Sequence, residues 1–466
     1  MATVRLFKHY IPTVFLVLGA VEAAIFVGAI HAGVILRFWD GSLPQDTVAP
    51  VLPKAVTFAL VMLLSMIAMG LYQRSSMASR TGMTLRIAAS FILAIIPLSL
   101  AFYIAPALFL GRGALGLAFM VAFVGILGAR MVFLNVTDLE NLKRRVLVLG
   151  TGQKANLISQ LRSSGGVHGS VIAGYVRMNG ETPAVDPRET VELDGPLARF
   201  VLEHRINELV VAVDDRRKAL PVHEILDCKM SGVDVVDLLT FFEKETGKVK
   251  LDVLQPSWMF LSDGFQRGLF RAYVKRLFDI AASLVLLPLA LPLMGLVALA
   301  VYVESGFRGP IFYRQVRAGA NGAPFRIVKF RSMSTDAEGD GQARWAQRND
   351  TRITPVGRVI RKSRLDELPQ LFNVLKGDMS FVGPRPERPE FVEQLQTSIP
   401  YYGERHRVKP GLTGWAQICY QYGASERDAF EKLQYDLYYV KNYSIFLDLL
   451  ILLQTAEVIL LGKGAH

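Results

Sequence analysis

The feature that most narrows the possible folds is the number of apolar runs long enough to cross a bilayer. Four of them, Ile11–Leu36, Ala55–Tyr72, Ile87–Leu110 and Ala114–Asn135, lie near the start of the chain, and each is close to the roughly 20 residues that a spanning helix needs. They predict a four-helix transmembrane bundle over residues 1–142. Basic residues set its orientation. Arg5 and Lys8 precede the first run, Arg74, Arg80 and Arg86 separate the second from the third, and Lys143, Arg144 and Arg145 follow the fourth. All three sets belong on the cytoplasmic side. The first-to-second loop offsets Arg37 and Lys54 with Asp40 and Asp46, and the third-to-fourth loop holds only Arg112, which suits the outer face. Glu22 and Arg130 interrupt the runs, where an ionisable side chain is costly, so a structural pair or a headgroup contact is expected.

Composition supports a multidomain membrane protein: 466 residues, 51% of them hydrophobic, exceed one compact domain and are too apolar to be wholly water-soluble. The formal charge of +11, in a chain this apolar, points to membrane lipid headgroups or phosphorylated substrates and not to nucleic acid. Cys228 and Cys419 are too far apart, and without partners at ligand spacing, to indicate a disulfide framework or a zinc site. A reducing cytoplasmic face fits. The first apolar run is too long for a signal-peptide core and lacks a small-residue cleavage pattern, so it is expected to stay in the mature protein.

After the basic cluster the pattern changes to strand, glycine turn and helix, beginning Val146-Leu-Val-Leu-Gly150-Thr-Gly152. Further β-rich runs at Val171–Val176 and Glu208–Val213 alternate with helical patterns. This predicts an α/β Rossmann-like domain over residues 143–262. Gly150-Thr-Gly152-Gln-Lys-Ala155 matches the turn in which backbone amides approach a diphosphate at a helix start. The acidic residue that would hold a ribose is missing, because Gly174-Tyr-Val-Arg-Met-Asn179 offers none before Glu181. A regulatory or structural domain is therefore favoured over a working dinucleotide site.

A fifth apolar run, Ile280–Val303, is also long enough to span, but it contains Pro288 and Pro292, each of which removes a helix hydrogen bond. Lys275 and Arg276 precede it and Arg308, Arg314 and Arg317 follow, so both flanks prefer the cytoplasm. The expectation is a re-entrant membrane helix within residues 263–304, broken near Leu291-Pro292 and returning to the side it entered from.

Residues 305–466 look soluble and carry the chemistry. Lys329-Phe-Arg331 places two cations on one side of a strand, a generic phosphate ligand. Arg358, Arg361 and Lys362 then lead into Ser363-Arg-Leu-Asp366-Glu367-Leu-Pro-Gln370. Alone, the acidic dyad reads as a helix start placed against the dipole. Its company changes that, since Asn373-Val-Leu-Lys-Gly-Asp378 and Val382-Gly-Pro-Arg385-Pro386 follow closely, and a rigidly held arginine suits a diphosphate. A carboxylate beside such cations stays ionised and can attack phosphorus, with a divalent metal neutralising the phosphate oxygens. Near the end, Tyr435–Asn442 is tyrosine-rich, and Ile445–Leu461 is apolar but interrupted by Asp448, Gln454 and Glu457. That run reads as an interfacial helix.

Lys275-Arg-Leu-Phe-Asp279, Lys329-Phe-Arg-Ser-Met333, Asp366-Glu-Leu-Pro-Gln370, Val382-Gly-Pro-Arg-Pro386 and Lys409-Pro-Gly-Leu-Thr-Gly414, in this order, resemble the bacterial sugar transferase family, the monotopic phosphoglycosyl transferases. With four spanning helices and a Rossmann-like domain in front, the chain is similar to the large polyprenyl glycosylphosphotransferases of exopolysaccharide and O-antigen synthesis. The resemblance implies a C-terminal α/β phosphoglycosyl transferase domain on the cytoplasmic face of a bacterial inner membrane, with multiple passes. It implies a magnesium-dependent (Mg2+) transfer from a UDP-sugar to undecaprenyl phosphate, releasing UMP first. It makes Asp366 the nucleophile and Glu367 its acidic partner, both at the metal, with Arg385 and Lys329 at the phosphate. It places Lys275, Arg276 and Asp279 at the entry of the re-entrant helix, where basic groups meet headgroups and the carrier. Members often carry Ser-Pro at the break, where this chain has Leu291-Pro292. A homodimer is expected from the same likeness.

Two rivals bear on the assignment. A nicotinamide-dependent dehydratase or epimerase needs a tyrosine with a lysine four residues on, and none of the 15 tyrosines has one. A non-enzymatic membrane scaffold would not require Asp366-Glu367 beside Gly383-Pro-Arg385-Pro386.

Overall fold

The computed structural model describes residues 3–6, 9–39, 51–72, 80–136, 144–167, 169–215, 220–261, 265, 268–335, 337, 351–420, 423 and 425–460. Lys8, Asp40, Asp46, Arg74 and Lys143, which served to orient the bundle, lie outside them, as does Asn349. The chain forms two compact units, residues 1–253 and 254–466.

In the first unit α1 (Thr13–Arg37), α2 (Val51–Ala68), α3 (Arg80–Ile104) and α4 (Arg112–Val136) match the four expected spans. Each contains a stretch long and apolar enough to cross a membrane. Lys54, Arg80 and Arg112, expected in loops, instead sit in the first turns of helices, and Arg86 sits one turn further into α3, where it donates to the Met69 carbonyl at 3.0 Å. Phe26, Phe58, Phe91 and Phe119 interlock edge to face or tilted, with centroids 5.3–6.2 Å apart. At Gly33 the backbone of α4 comes so close that a Cβ would lie 2.7 Å from the Ala114 carbonyl oxygen; small residues allow this approach between lipid-embedded helices. The expectation of a structural pair holds: Arg130 Nε donates to Glu22 at 2.6 Å, the Arg130 guanidinium also donates to the Leu71 carbonyl at 2.9 Å, and Tyr72 donates to Glu22.

The middle of the chain folds as β1 (Arg144–Leu149), α5 (Gln153–Ser163), β2 (Ser170–Val176), β3 (Thr190–Val191), α6 (Leu197–Glu203), β4 (Glu208–Val211), α7 (Val222–Met230), β5 (Asp234–Asp237) and α8 (Leu238–Thr246). The sheet order is β3-β2-β1-β4-β5 with every pairing parallel. Alternate residues of β1 feed opposite cores. Val146 and Val148 pack with Ala155, Ile158 and Phe241, whereas Leu147 and Leu149 pack with Leu197, Val201 and Cys228, as a strand covered on both faces requires. Arg144, expected on the cytoplasmic side, is buried in β1 and paired with Glu208 and Glu245. The unit ends at Val253, ahead of the expected boundary, since Trp258 belongs with the second unit, under the Lys441 ammonium at 3.8 Å.

The long helix of the second unit is α9 (Leu269–Glu304), continuous with both prolines inside. The expected break at Leu291-Pro292 does not divide it. Pro288 leaves the Leu284 carbonyl without its donor, and Pro292 does the same to Pro288, so both lost bonds fall on one face and the rest of the ladder continues. The helix starts well before Ile280, so Lys275, Arg276 and Asp279 lie inside it. Its burial is uneven. Asp279, Ser283, Met294, Val297 and Val301 are buried, while residues 284–293 contain no buried side chain. Met294, Val297 and Val301 share a core with Phe330 and Ile360.

There follow the antiparallel hairpin β6 (Phe312–Ala318) and β7 (Pro324–Phe330), α10 (Pro355–Lys362), a 3-10 turn Leu365–Glu367, α11 (Gln370–Lys376), β8 (Ser380–Val382), α12 (Pro389–Ser398), β9 (Gly411–Thr413), α13 (Glu426–Asn442) and α14 (Ile445–Leu460). In α14 Asp448 and Gln454 point inward, and the side chain of Glu457 lies outside the described part. Asp448 is buried and accepts from Tyr439 at 2.7 Å, and Thr455 meets Thr413 at 2.7 Å, while Leu449 is exposed.

Candidate active site

The dyad is positioned by three local devices. Asn373 on α11 donates to the Arg326 carbonyl at 2.8 Å and accepts from the Val328 amide at 3.1 Å, so its amide group pairs with β7 as a neighbouring strand would. This fixes Lys329, one residue on, against the segment leading into α11. The turn carrying Asp366 and Glu367 is entered through Arg364 in the left-handed region, φ 60°, a conformation that a non-glycine residue adopts only when its surroundings enforce it. Lys329 Nζ then donates to Glu367 Oε1 at 2.8 Å, and an Arg385 guanidinium nitrogen reaches the same oxygen at 3.3 Å.

Arg385 is held by a glycine seam. β8 and β9 pair in parallel, and their extensions come so close that a Cβ on Gly383 would lie 2.2 Å from the Lys409 carbonyl oxygen, and one on Gly414 would lie 2.3 Å from the Gly383 oxygen. The Gly-Pro-Arg-Pro and Lys-Pro-Gly-Leu-Thr-Gly motifs are thus two sides of one contact. Behind it, buried Arg405 donates to the Arg385 carbonyl at 3.0 Å and to the Tyr402 hydroxyl at 2.6 Å, and lies 2.8 Å from Asp436 on α13.

Asp366 and Glu367 are neighbours with opposite electrostatics. Burial raises the Asp366 carboxyl above the ordinary range, against the lowering effect of Lys329. At Glu367 burial pulls the same way, but Lys329 and Arg385 outweigh it and hold the group well below the usual carboxylate range. Burial depresses the Lys329 ammonium, with Glu367 opposing. Asp366 is buried yet has no hydrogen-bond or ion-pair partner among the described residues. A pair of carboxyls pushed apart in this way separates a group that stays charged from one that reacts.

The other expected site residues divide. Arg361 on α10 bears on the Asp366 charge, as does Arg364, which the sequence reading passed over although it stands two residues before the nucleophile candidate. Arg358 is exposed on the same helix, with no recorded bond to the dyad. Arg331 lies just past β7, and its guanidinium covers Gly309, where a Cβ would sit 2.1 Å away. Lys275 donates to Val382, Tyr439 and Asp448. Arg276 caps the C-terminal carbonyls Val374 and Leu375 of α11, and Asp279 accepts from Ser380 and from the Phe381 amide. These three bind α9 to the rest of the unit. Pro292 lies in the unburied stretch. Arg405 and Asp436 carried no motif that could have singled them out.

No cluster of three or more His, Cys, Asp or Glu side chains is placed to hold a metal among the described residues. A magnesium ion needs only one or two carboxylates when phosphate oxygens complete its shell. Asp366 and Glu367 fit that demand, since Asp366 is unpartnered and both bonds to Glu367 fall on Oε1.

Residues 270–462 match the family model for bacterial sugar transferases. The chain is 32% identical over 372 residues to a UDP-glucose:undecaprenyl-phosphate glucose-1-phosphate transferase of Xanthomonas campestris pv. campestris, an alignment covering 76% of this chain and 75% of that one. The chain belongs to the bacterial sugar transferase family. Two further relatives are aligned over about half of their length. A UDP-N-acetylgalactosamine-undecaprenyl-phosphate N-acetylgalactosaminephosphotransferase of Aeromonas hydrophila is 44% identical over 51% of this chain and 55% of its own. A UDP-glucose:undecaprenyl-phosphate glucose-1-phosphate transferase of Escherichia coli K12 is 36% identical over 56% of each. The chain thus spans about half the length of these two relatives.

Proposed function

We propose that the protein transfers a sugar 1-phosphate from a UDP-sugar to undecaprenyl phosphate through a covalent intermediate on Asp366. The observation that carries this is a buried, unpartnered carboxylate beside a second one locked by Lys329 and Arg385. An Asp366 oxygen attacks the β-phosphorus of the donor, the bond to the bridging oxygen breaks, and UMP leaves with that oxygen. A phosphate oxygen of undecaprenyl phosphate then attacks the same phosphorus, releasing Asp366 and giving the undecaprenyl diphosphate sugar. Lys329 and Arg385 face the charge that develops on the phosphoryl oxygens, and Arg361 and Arg364 add to the field around the nucleophile. Magnesium, held by Asp366 and Glu367, would supply charge neutralisation at the diphosphate. The relatives' names specify both UDP-glucose and UDP-N-acetylgalactosamine as donors, so the sugar is left to experiment.

The proposal extends to placement. The unburied middle of α9 lies between two segments that both pack on the same unit, and it holds Pro288 and Pro292, whose lost hydrogen bonds on one face let a helix bend without breaking; this supports a helix that bends inside one leaflet and returns. The ten residues 284–293 rise only about 15 Å as helix, half of the roughly 30 Å that a span must cover. α14, with Asp448 and Gln454 inward and Leu449 outward, would lie on the same surface. The catalytic unit then works at the cytoplasmic face of the bacterial inner membrane, initiating exopolysaccharide or O-antigen repeat units, as a homodimer. The decisive test is UMP release from a panel of UDP-sugars by the purified protein with undecaprenyl phosphate and magnesium, for wild type and Asp366→Asn. About one equivalent of UMP per enzyme without carrier, and turnover that requires carrier, metal and Asp366, are expected; no release with any donor by folded wild-type protein would sink the proposal.

A further inference from the structure

The glycine turn of the middle sheet presents an anion cradle. Gly150 takes φ 123°, and a Cβ there would lie 2.8 Å from the Ala212 carbonyl oxygen, so the turn is drawn tightly against the end of β4. α5 begins at once, and its first amides point into the space where a diphosphate would rest in a dinucleotide-binding fold. That space is filled by the chain itself. Asp214, just after β4, accepts from the Gln153 amide at 2.9 Å through one carboxylate oxygen and from the Lys154 amide at 2.9 Å through the other. Glu181, in the connection after β2, accepts from the Thr151 amide and from the Asp214 amide, each at 2.9 Å. Lys154, the cation of the turn, bends back to donate to the Val213 and Asp214 carbonyls. The fit is close: a Cβ on Gly152 would lie 2.1 Å from an Asp214 carboxylate oxygen.

We infer that this cradle carries a built-in anion, the Asp214 carboxylate backed by Glu181, and that it is closed to nucleotide phosphates in the native protein. Three amides and one ammonium that would bind a diphosphate are already satisfied, and a ligand would have to expel a carboxylate that bridges two of them. The glycines serve this internal contact: Gly150 lets the turn reach β4, and Gly152 leaves room for Asp214. The middle sheet is thereby locked through its own loops, with the end of β4 tied to the start of α5 and Glu181 joining both.

The test is hydrogen exchange on the full-length protein in detergent, followed on peptides covering residues 150–160, with inorganic pyrophosphate and NAD as probes. In wild type, slow exchange that neither probe changes is expected. Asp214→Ala should speed exchange in this segment by at least about ten-fold, the amides having lost their acceptor, and pyrophosphate should restore protection in that variant alone. Gly152→Ala, whose methyl group displaces the carboxylate without removing it, should accelerate exchange in the same peptides. Protection of the wild-type segment by NAD or pyrophosphate would show an open cradle and overturn the inference. So would unchanged exchange in Asp214→Ala, or a failure of pyrophosphate to protect that variant.

Discussion

Glu22 and Asp366 are both carboxylates withdrawn from water, and the two units treat them oppositely. In the bundle, Glu22 is met by a guanidinium at 2.6 Å and a tyrosine hydroxyl, and the guanidinium spends a further hydrogen on a carbonyl. Nothing is left over for a ligand. In the catalytic unit the equivalent cations, Lys329 and Arg385, are drawn to Glu367, and Asp366 beside it keeps its lone pairs. A buried ion pair fully satisfied is architecture. A buried carboxylate left without partners costs stability, and such a cost persists where the group has work to do.

The largest effect should come from removing the unpaired group. Asp366→Asn is expected to lower sugar-phosphate transfer by at least about a thousand-fold, while its thermal midpoint stays level or rises, because an uncompensated buried charge has gone. Glu22→Gln should do the reverse, costing roughly 3–5 kcal/mol of stability by stranding Arg130, as read by thermal unfolding in detergent; Glu22→Gln with Arg130→Met should recover much of the loss. A single Glu22 variant as stable as wild type would erase the contrast. Next, Lys329→Met should slow transfer by about a hundred-fold.

Acid sharpens the same contrast. Asp366 is raised, so its reactive ionised form is lost at a higher pH than an ordinary aspartate would allow, and the acid limb of the pH–rate profile should lie above the usual carboxylate range. Because Lys329 opposes that rise, Lys329→Met should shift the limb further up. Glu367, held low, stays charged throughout; it stabilises the fold above its unfolded pKa, and that contribution fades only in stronger acid. The smallest effect is expected at Arg405→Lys, about ten-fold in transfer with little change in donor KM, since the residue touches Arg385 only through its carbonyl.

Much of this was readable beforehand where local rules act alone. The four spans followed from run length, and the parallel sheet from strands alternating with helices. The dyad and Gly-Pro-Arg-Pro stood out through their company, an acidic pair preceded by cations and followed closely by a rigidly held arginine. What escaped was non-local. Lys275, Arg276 and Asp279 looked like charges awaiting headgroups, yet each is spent on backbone or side chains about a hundred or more positions away. The prolines of α9 promised a break that the remaining hydrogen bonds bridge. Arg405 and Asp436 meet only after α13 packs, and no spacing foretells it.

The bond from Lys275 to Asp448 joins residues 173 apart in sequence. During synthesis at roughly 5–20 residues per second, α9 leaves the ribosome on the order of ten to thirty-five seconds before its partner exists. For that interval a long apolar helix lacks the contacts that later bury Asp279, Met294 and Val301, so the unit cannot close around it until its last helix has been made.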